Sequence, residues 1–337
     1  MLKLSLGVLL LCYSSEVVRS KLLSVHIIFR HGEKTPEPLL MLPNDPYRNQ
    51  SFYPFGPGQL TNVNVIKVIA TQLPTVLQEG KRTMYDLGKT LRKRYHDFLG
   101  DIYTPDALDA WASSFDRCHA SLQIVLAALF PPKGPQVWEE SLNWQPITYK
   151  SLLREDDDLF MGVLKNDFVK LYEEYYSGEE GKKISEEIQP LLSYINAHSN
   201  ATMKTLRDLM IVYAGWSSEE EYGLTLPVWS KKIYPQPLSD TVTKEYALHV
   251  ETKAMARKAT GKLVKKILAD SEKRFKRRSN YKLHLYAAHD VTIAHILTFL
   301  KIKYERIPEY AATLILELHE KNGVYFIEES AKLSYDK

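Results

Sequence analysis

Seven consecutive residues near the start of the chain bring together a guanidinium, an imidazole and an ammonium group. The segment is Arg30-His31-Gly32-Glu33-Lys34-Thr35-Pro36. A neutral imidazole carries a nucleophilic nitrogen, and arginine and lysine form charge-assisted hydrogen bonds to anionic oxygens. These residue types, placed side by side, predict a loop that binds a phosphate group next to a nucleophile.

A histidine and an aspartate stand together near the other end of the chain. They lie in the segment Ala287-Ala288-His289-Asp290-Val291-Thr292. A carboxyl group can give a proton to a leaving oxygen and later help to activate water, so the pair suits general acid–base chemistry. The structural alternative is that Asp290 only caps a helix, since aspartate is favoured at helix N-termini.

Each motif is expected at the end of a β-strand. Residues 25–29, which are β-branched and aromatic, precede the first motif, and residues 283–286 precede the second, which residues 292–300 continue as a helix. In open α/β sheets, ligands bind at the carboxyl ends of the strands, where loops and helix N-termini converge. The pattern therefore predicts that both motifs lie at the ligand-binding edge of such a sheet.

The two motifs, in this order, resemble those of the histidine acid phosphatase family. That family carries Arg-His-Gly-x-Arg-x-Pro near its N-terminus and a His-Asp pair near its C-terminus. Shorter matches follow in the family's order across nearly the whole chain: Gly58-Gln59-Leu60-Thr61, residues 126–132, Trp144-Gln145-Pro146-Ile147, residues 226–229 and Pro308-Glu309-Tyr310. Residues 100–104 and 224–227 are most similar to the insect venom and salivary members.

The resemblance implies an α/β fold with a three-layer α/β/α core around a mostly parallel central sheet and an inserted, smaller helical cap domain. Residues 21–149 and 243–337 are expected to build the core, and the acidic, tyrosine-rich residues 150–242 the cap. Within the core, apolar side chains spaced by 3.6 residues predict helices over 84–98 and 116–129. Asn322-Gly323 predicts the turn of a closing β-hairpin.

The resemblance also implies a role for each site residue. His31 matches the nucleophile, which forms a phosphohistidine that water then cleaves. Arg30 and His289 match residues that hold the phosphate oxygens, Lys34 stands where the family has a third such contact, and Asp290 matches the proton donor. The implied function is a secreted acid phosphatase that hydrolyses small phosphate monoesters without a cofactor. We expect its activity to be highest on the acid side of neutrality.

Two departures from the family pattern predict reduced activity. Lys34 replaces an arginine, so the charge remains but the planar fork is lost. The family's central segment reads Arg-Ser-x-Asp-x-Asp-Arg. Aligning it with residues 111–117 puts Trp111 in place of a phosphate-binding arginine. Arg117 then matches the final arginine of the segment and is predicted to have a structural role. Losing one charge-assisted hydrogen bond costs on the order of 1.5–3 kcal/mol.

These departures leave an alternative function open. A weakened homologue could act as a secreted binder of phosphorylated ligands, such as a venom or salivary component. The retained nucleophile and proton donor favour the enzyme, whereas Trp111 favours the binder. Phytase or phosphoglycerate mutase chemistry is a less favoured third alternative, because nothing strongly basic surrounds the motif.

The first twenty residues predict a secretory signal peptide. Lys3 precedes an apolar stretch over residues 4–12, and small residues stand near position 20. A membrane anchor needs about 20 apolar residues, and no segment has them. We therefore expect an extracellular or lysosomal protein, and its sequons at Asn49 and Asn200 are predicted to carry glycans.

Composition and net charge limit the kinds of binding partner that the sequence supports. The chain has 337 residues, of which 45% are hydrophobic and 25% charged, as in ordinary globular proteins. Lys3, Arg19 and Glu16 leave with the leader, so the formal charge changes from +3 to +2, too weak to argue for a nucleic-acid partner. The sequence does not reveal the oligomeric state.

Neither a metal site nor a disulfide is indicated. His289 and His295 are six residues apart rather than four, and no cysteine pair exists, so no zinc-binding pattern is present. Cys12 leaves with the leader, and Cys118 is expected to be a buried free thiol rather than one that forms an intermolecular disulfide.

Two features of the chain depart from the family's length. Residues 63–78 interrupt a short link and are either a surface loop or a translated intron. Comparison of the transcript with the genome would decide between them. Family members usually continue past the closing hairpin, so the end at Lys337 suggests a truncated gene model.

Overall fold

The computed structural model describes residues 20–61 and 80–332, which build a six-stranded mixed sheet flanked by helices. The strands are β1 (Lys21–Arg30), β2 (Leu108–Ala112), β3 (Lys150–Ser151), β4 (Leu283–Ala288), β5 (Thr313–Lys321) and β6 (Val324–Lys332). Their spatial order is β3-β2-β4-β1-β5-β6. The strands β3, β2, β4 and β1 run parallel to one another. The β1–β5 and β5–β6 pairings of these named strands are antiparallel. The predicted mostly parallel sheet is confirmed.

Ten α-helices lie in the described residues. They are α1 (Gly80–Arg94), α2 (His96–Leu99), α3 (Asp116–Leu129), α4 (Asn166–Ser177), α5 (Glu179–His198), α6 (Leu206–Tyr222), α7 (Leu238–Leu248), α8 (Lys253–Ala259), α9 (Gly261–Phe275) and α10 (Asp290–Phe299). The helix predicted over 116–129 has those bounds. The one predicted over 84–98 is present as α1 and α2, and α10 begins two residues earlier than predicted.

Strand β1 is buried on both of its faces. Val25, Ile27 and Phe29 pack into the hydrophobic cluster that contains α1 and α3 residues, whereas Ile28 packs into the cluster that contains α9 and α10 residues. Successive side chains of a strand point to opposite faces, so an uninterrupted apolar run requires a cover on each side. The result is the predicted three-layer α/β/α arrangement.

Helices α4 to α8 share a hydrophobic cluster of their own. Its largest member is Trp216, which is 1% exposed and is surrounded by side chains such as Phe168, Leu192 and Leu238. A separate cluster is what an inserted helical domain needs in order to be stable. The domain boundaries at 150 and 242 stay a prediction.

The closing hairpin forms as predicted. Asn322 and Gly323 have φ angles of 53° and 77°, as a two-residue type I′ turn requires at both positions. The turn joins β5 to β6 in antiparallel register.

Several predictions concern parts of the chain outside the described residues. These are the leader up to residue 19, the segment 63–78 and the end at Lys337. Among the helices that the structure does describe, none combines the length and apolar character needed to cross a membrane.

The close packing of α1 on α3 depends on Gly88. A Cβ atom at this position would lie 2.6 Å from the Cβ of Ala128 and 2.6 Å from the carbonyl oxygen of Val125. We expect Gly88→Ala to lower the free energy of unfolding by about 1–3 kcal/mol, because overpacking forces the helices apart. Urea unfolding followed by circular dichroism measures the change.

Gly261→Ala is the matched control. This glycine opens α9, and the nearest atom to its added Cβ would be 3.6 Å away, an ordinary contact. We expect unchanged or slightly higher stability there. Equal losses in the two variants would show that helix packing at Gly88 is not the cause.

Candidate active site

The parallel pairing of β1 with β4 brings the two sequence motifs together. Arg30 and Ala288 are partners in the strand register, and the backbone N–H of His31 donates to the carbonyl of Ala288 at 3.1 Å. The next residue on each strand is a histidine. The rings of His31 and His289 therefore lie side by side, with centroids 5.5 Å apart and an interplanar angle of 75°.

All five side chains predicted for catalysis and substrate binding line one cavity of about 200 Å³. They are Arg30, His31, Lys34, His289 and Asp290. The cavity lies at the carboxyl ends of β1 and β4, at the edge where α/β sheets bind ligands. Its remaining wall is mostly apolar and includes Met210 and Tyr246 from α6 and α7.

The hydrogen bonds of His31 determine which of its nitrogens carries the proton. Nδ1 lies 2.8 Å from the carbonyl oxygen of Gly32, and Nε2 lies 3.0 Å from Nε of Arg117. A carbonyl only accepts and a guanidinium only donates, so the proton is on Nδ1 and Nε2 keeps its lone pair. Burial, followed by the charges of Arg117, His289 and Arg30, holds the pKa of His31 well below its usual range. His31 is thus a neutral nucleophile in the free protein, and its lowered pKa keeps it neutral at lower pH than an exposed histidine.

Arg30 is held with its guanidinium in the cavity wall. Its Nη1 donates to the carbonyl oxygen of Pro308 at 2.7 Å, and its Cζ lies 4.0 Å from the ring centroid of Tyr310. Within the part of the chain that the structure describes, its buried Nε has no hydrogen-bond acceptor. The Pro308-Glu309-Tyr310 match therefore has a physical role, because this loop orients Arg30.

Asp290 is the first residue of α10 and faces the cavity. Its Oδ1 accepts a hydrogen bond from the backbone N–H of Val291 at 2.7 Å, and its Oδ2 lies 3.0 Å from Nη2 of Arg30. The N-cap position of α10 is His289, which makes no side-chain capping hydrogen bond, so the structure does not support the capping alternative. Oδ2 of Asp290 is held among the residues that would bind phosphate, and the side chain is 20% exposed.

His289 is buried between the site and Cys118. Its Nε2 lies 2.9 Å from Oγ of Ser113 and 3.8 Å from Sγ of Cys118. Burial, followed by the charges of Arg117 and Arg30, holds the pKa of His289 well below its usual range. Burial raises the pKa of the Cys118 thiol to about 12. The predicted buried free thiol is confirmed.

Arg117 belongs to the site, so the prediction that it is structural is wrong. Besides its contact with His31, its Nη1 lies 3.3 Å from Oε1 of Glu37. Arg117 is in the first turn of α3, directly after β2. Arg117 and Asp290 both lie in the first turn of a helix that follows a β-strand. This shared position is the sequence signal that could have identified Arg117.

Trp111 does not stand in for a site arginine, so that prediction is also wrong. Its Nε1 lies 3.1 Å from both carboxylate oxygens of Asp109, and the ammonium of Lys266 lies 5.1 Å from its ring. The indole packs against the cluster on the α9 side of the sheet. Because side chains alternate along β2, residue 111 points away from the cavity.

Lys34 is paired with a carboxylate that sequence reasoning missed. Its Nζ lies 3.0 Å from Oε1 of Glu37, three residues further along the chain. Burial lowers the pKa of Lys34 to about 8, although Glu37 acts in the opposite direction. Lys34 is therefore a charged side chain at acidic pH.

The predicted glycan acceptors lie away from this cavity. Asn49 and Asn200 are both exposed. Exposure is necessary for attachment of a glycan, and glycosylation itself stays a prediction.

Comparisons with known proteins agree with this geometry. The family description "Histidine phosphatase superfamily (branch 2)" matches residues 21–331. The venom acid phosphatase Acph-1 of Apis mellifera is 34% identical over 92% of this chain and 77% of its own length. The prostatic acid phosphatase of Bos taurus is 31% identical, again over 92% of this chain and 77% of its own length.

Solved structures show the same fold at much lower identity. The phytase of Hafnia alvei in complex with tartrate superposes with a TM-score of 0.64 and 16% identity. The match covers 93% of this chain and 84% of the phytase chain.

Proposed function

Because this chain belongs to branch 2 of the histidine phosphatase superfamily, we propose that it is an acid phosphatase that hydrolyses small phosphate monoesters through a phosphohistidine on His31. The observation that carries the proposal is the unprotonated Nε2 of His31, which accepts a hydrogen bond from Nε of Arg117 in a cavity lined by cations and by Asp290. The relatives named above are acid phosphatases.

The first step is attack by Nε2 of His31 on phosphorus. Arg30, Lys34 and Arg117 neutralise the phosphate oxygens, which would otherwise repel the nucleophile, and His289 adds a further hydrogen-bond donor. The Nε2–P bond forms while the bond from phosphorus to the leaving oxygen breaks, and Asp290 gives that oxygen its proton. Phosphorylation leaves a positive charge on the imidazole. The Gly32 carbonyl, which accepts from Nδ1 at 2.8 Å, stabilises this charge.

The second step is hydrolysis of the phosphohistidine. Asp290, now a carboxylate, accepts a proton from water as the water oxygen attacks phosphorus. The P–Nε2 bond breaks, His31 regains its lone pair and inorganic phosphate leaves. The proton that Asp290 accepts restores it for the next cycle.

The position of Arg117 removes the main reason to expect a weakened site. Arg117 supplies the third cation that the alignment had assigned to position 111, and Lys34 remains as the one change from the family's pattern among these cations. The binder alternative depended on Trp111 and so loses its supporting observation. Any reduction in activity then comes from the arginine-to-lysine change at Lys34.

Secretion and the domain division are part of the same proposal. The composition of residues 1–20, the two exposed sequons and the similarity to a venom protein support export. The separate hydrophobic cluster of α4 to α8 supports a helical cap that contains most of residues 150–242, and its members in α7 and α8 extend past 242.

Hydrolysis of p-nitrophenyl phosphate across acidic pH tests the proposal. We expect a bell-shaped profile of kcat/KM with its maximum on the acid side of neutrality. The acid limb reports protonation of His31, and it lies well below a usual histidine pKa because that pKa is lowered in the folded protein. The fall towards neutrality follows from the need for a proton donor to the leaving oxygen, the role proposed for Asp290.

A second ester separates the proton donor from a general effect on the site. Phenyl phosphate has a poorer leaving group than p-nitrophenyl phosphate, so it depends more strongly on the proton from Asp290. We expect Asp290→Asn to slow phenyl phosphate hydrolysis by about tenfold more than p-nitrophenyl phosphate hydrolysis. A maximum above neutrality, or equal losses for the two esters, would contradict these assignments of nucleophile and acid.

A further inference from the structure

A carboxylate of the protein itself contacts two of the three cations to which the proposed mechanism assigns phosphate binding. Oε1 of Glu37 lies 3.0 Å from Nζ of Lys34 and 3.3 Å from Nη1 of Arg117. Glu37 itself lines the cavity that holds His31. One carboxylate oxygen therefore stands between two side chains that, in the proposed mechanism, bind phosphate oxygens.

Glu37 is held in this position by its surroundings. Its Cγ and Cδ pack against Gly58, where an added Cβ would lie only 3.0 Å from both atoms. The side chain of Glu37 is 21% exposed, and those of Lys34 and Arg117 are 6% and 11% exposed. Ion pairs that are this little exposed are screened less by salt than surface pairs, so the contact has energetic weight.

The charged groups around Glu37 are nearly all cationic. Lys34 and Arg117 contact it directly, and Arg154 acts on it from the loop before α4. Arg30, Arg207 and Asp290 line the same cavity from β1, α6 and α10. Although burial acts in the other direction, these cations lower the pKa of Glu37 and so favour its ionised form in the free protein.

We infer that Glu37 is a positioning residue that couples phosphate binding to proton uptake by holding Lys34 and Arg117 until a phosphate oxygen replaces its carboxylate. The inference rests on the proposed phosphatase function. Phosphate and an ionised Glu37 compete for the same two cations, and bound phosphate repels the carboxylate. Binding therefore favours the protonated form of Glu37, and protonation of Glu37 favours binding to the same extent.

The consequence is an affinity for phosphate that weakens as the pH rises through the acidic range. Lys34 stays charged there, since its pKa is lowered only to about 8. Ionisation of the phosphate ester itself changes with pH in the same way for every variant, so it cancels when variants are compared at one pH. A change in affinity with pH that depends on residue 37 must then come from Glu37.

The test compares the wild type with Glu37→Gln and Glu37→Ala. Both variants remove the competing charge, and the alanine variant also removes any hydrogen bond from an amide. With p-nitrophenyl phosphate at about pH 5.5, we expect KM to be about tenfold lower in both variants than in the wild type. A tenfold change corresponds to a difference of about one unit between the pKa of Glu37 with and without bound phosphate. As the pH falls and Glu37 becomes protonated in the free wild type as well, we expect the three KM values to approach one another.

Calorimetry with inorganic phosphate measures the proton directly. Titrations in two buffers of different ionisation enthalpy at about pH 4.5 should show that the wild type takes up more protons on binding than either variant, by up to about half a proton for a one-unit difference between the free and bound pKa. Glu186→Gln is the control, because Glu186 is exposed on α5, does not line the cavity and forms no ion pair with Lys34 or Arg117. It should match the wild type in proton uptake.

The outcomes separate this inference from the proposed function. Turnover by all proteins with identical pH dependence of KM and identical proton uptake would overturn the role of Glu37 and leave the phosphatase intact. A KM raised equally at every pH would mean that Glu37 merely supports the fold of the site, which also overturns the inference. Absence of turnover and of phosphate binding in the folded wild type would overturn the proposed function itself.

Discussion

Replacing His31 by alanine is expected to abolish turnover of p-nitrophenyl phosphate, with a loss of roughly 10⁴-fold or more in kcat. The reason is that no other side chain in the cavity offers a nitrogen lone pair in the same place. His289 is the nearest candidate, but its Nε2 lies 2.9 Å from Oγ of Ser113, whereas Nε2 of His31 lies 3.0 Å from Nε of Arg117, among the cations that bind phosphate in the proposed mechanism. Without Nε2 of His31, water would have to attack the ester directly.

The chemical intermediate distinguishes nucleophilic catalysis from simple binding. We expect reactions of the wild type with a ³²P-labelled monoester, stopped with alkaline denaturant, to leave a base-stable, acid-labile label on the protein, and His31→Ala to carry none. His96→Ala is the control, because His96 is exposed on α2 and should keep full labelling. Equal labelling of His31→Ala and the wild type would rule out His31 as the nucleophile.

Replacing Arg117 by alanine is expected to lower kcat/KM by about 10²–10³-fold, the usual cost of losing one donor to a developing oxyanion. Arg117 contacts the nucleophilic nitrogen in the free protein and is the third cation available to phosphate. Arg257→Ala provides the control, because Arg257 is exposed on α8 and should not affect turnover.

The same experiment tests the corrected position of the third arginine. Trp111→Arg should not raise turnover, because residue 111 faces Asp109 and Lys266 rather than the cavity. It should lower the melting temperature instead, since a third cation would join Lys150 and Lys266 around Asp109. Increased turnover in Trp111→Arg together with unchanged turnover in Arg117→Ala would restore the original alignment.

The misplaced arginine shows where sequence reasoning reaches its limit. Aligning the family segment with residues 111–117 put Trp111 opposite an arginine. An alignment does not show the direction in which each side chain points. In a strand, neighbouring side chains point to opposite faces, so a shift of one residue moves a side chain across the sheet. Arg117 reaches the site only because α3 starts directly after β2 and points its first turn at the cavity.

Glu37 was missed for a related reason. A glutamate one residue after a conspicuous motif reads as a solvated surface charge. Its approach to both Lys34 and Arg117 depends on the packing of its side chain against Gly58 and on the position of α3. None of these neighbours can be deduced from spacing along the chain.

The sequence by itself determined the elements that carry chemistry. The apolar run of β1, the helix over Asp116–Leu129, the hairpin turn at Asn322-Gly323 and the His31 and His289 motifs are local patterns, and local patterns follow from backbone preferences and side-chain periodicity. Tertiary structure alone decided which charges meet. The parallel register of β1 with β4 joins the two motifs, and the placement of α3 adds Arg117 and pairs it with Glu37. Distances between charges depend on how elements pack in three dimensions, and separation along the chain does not encode them.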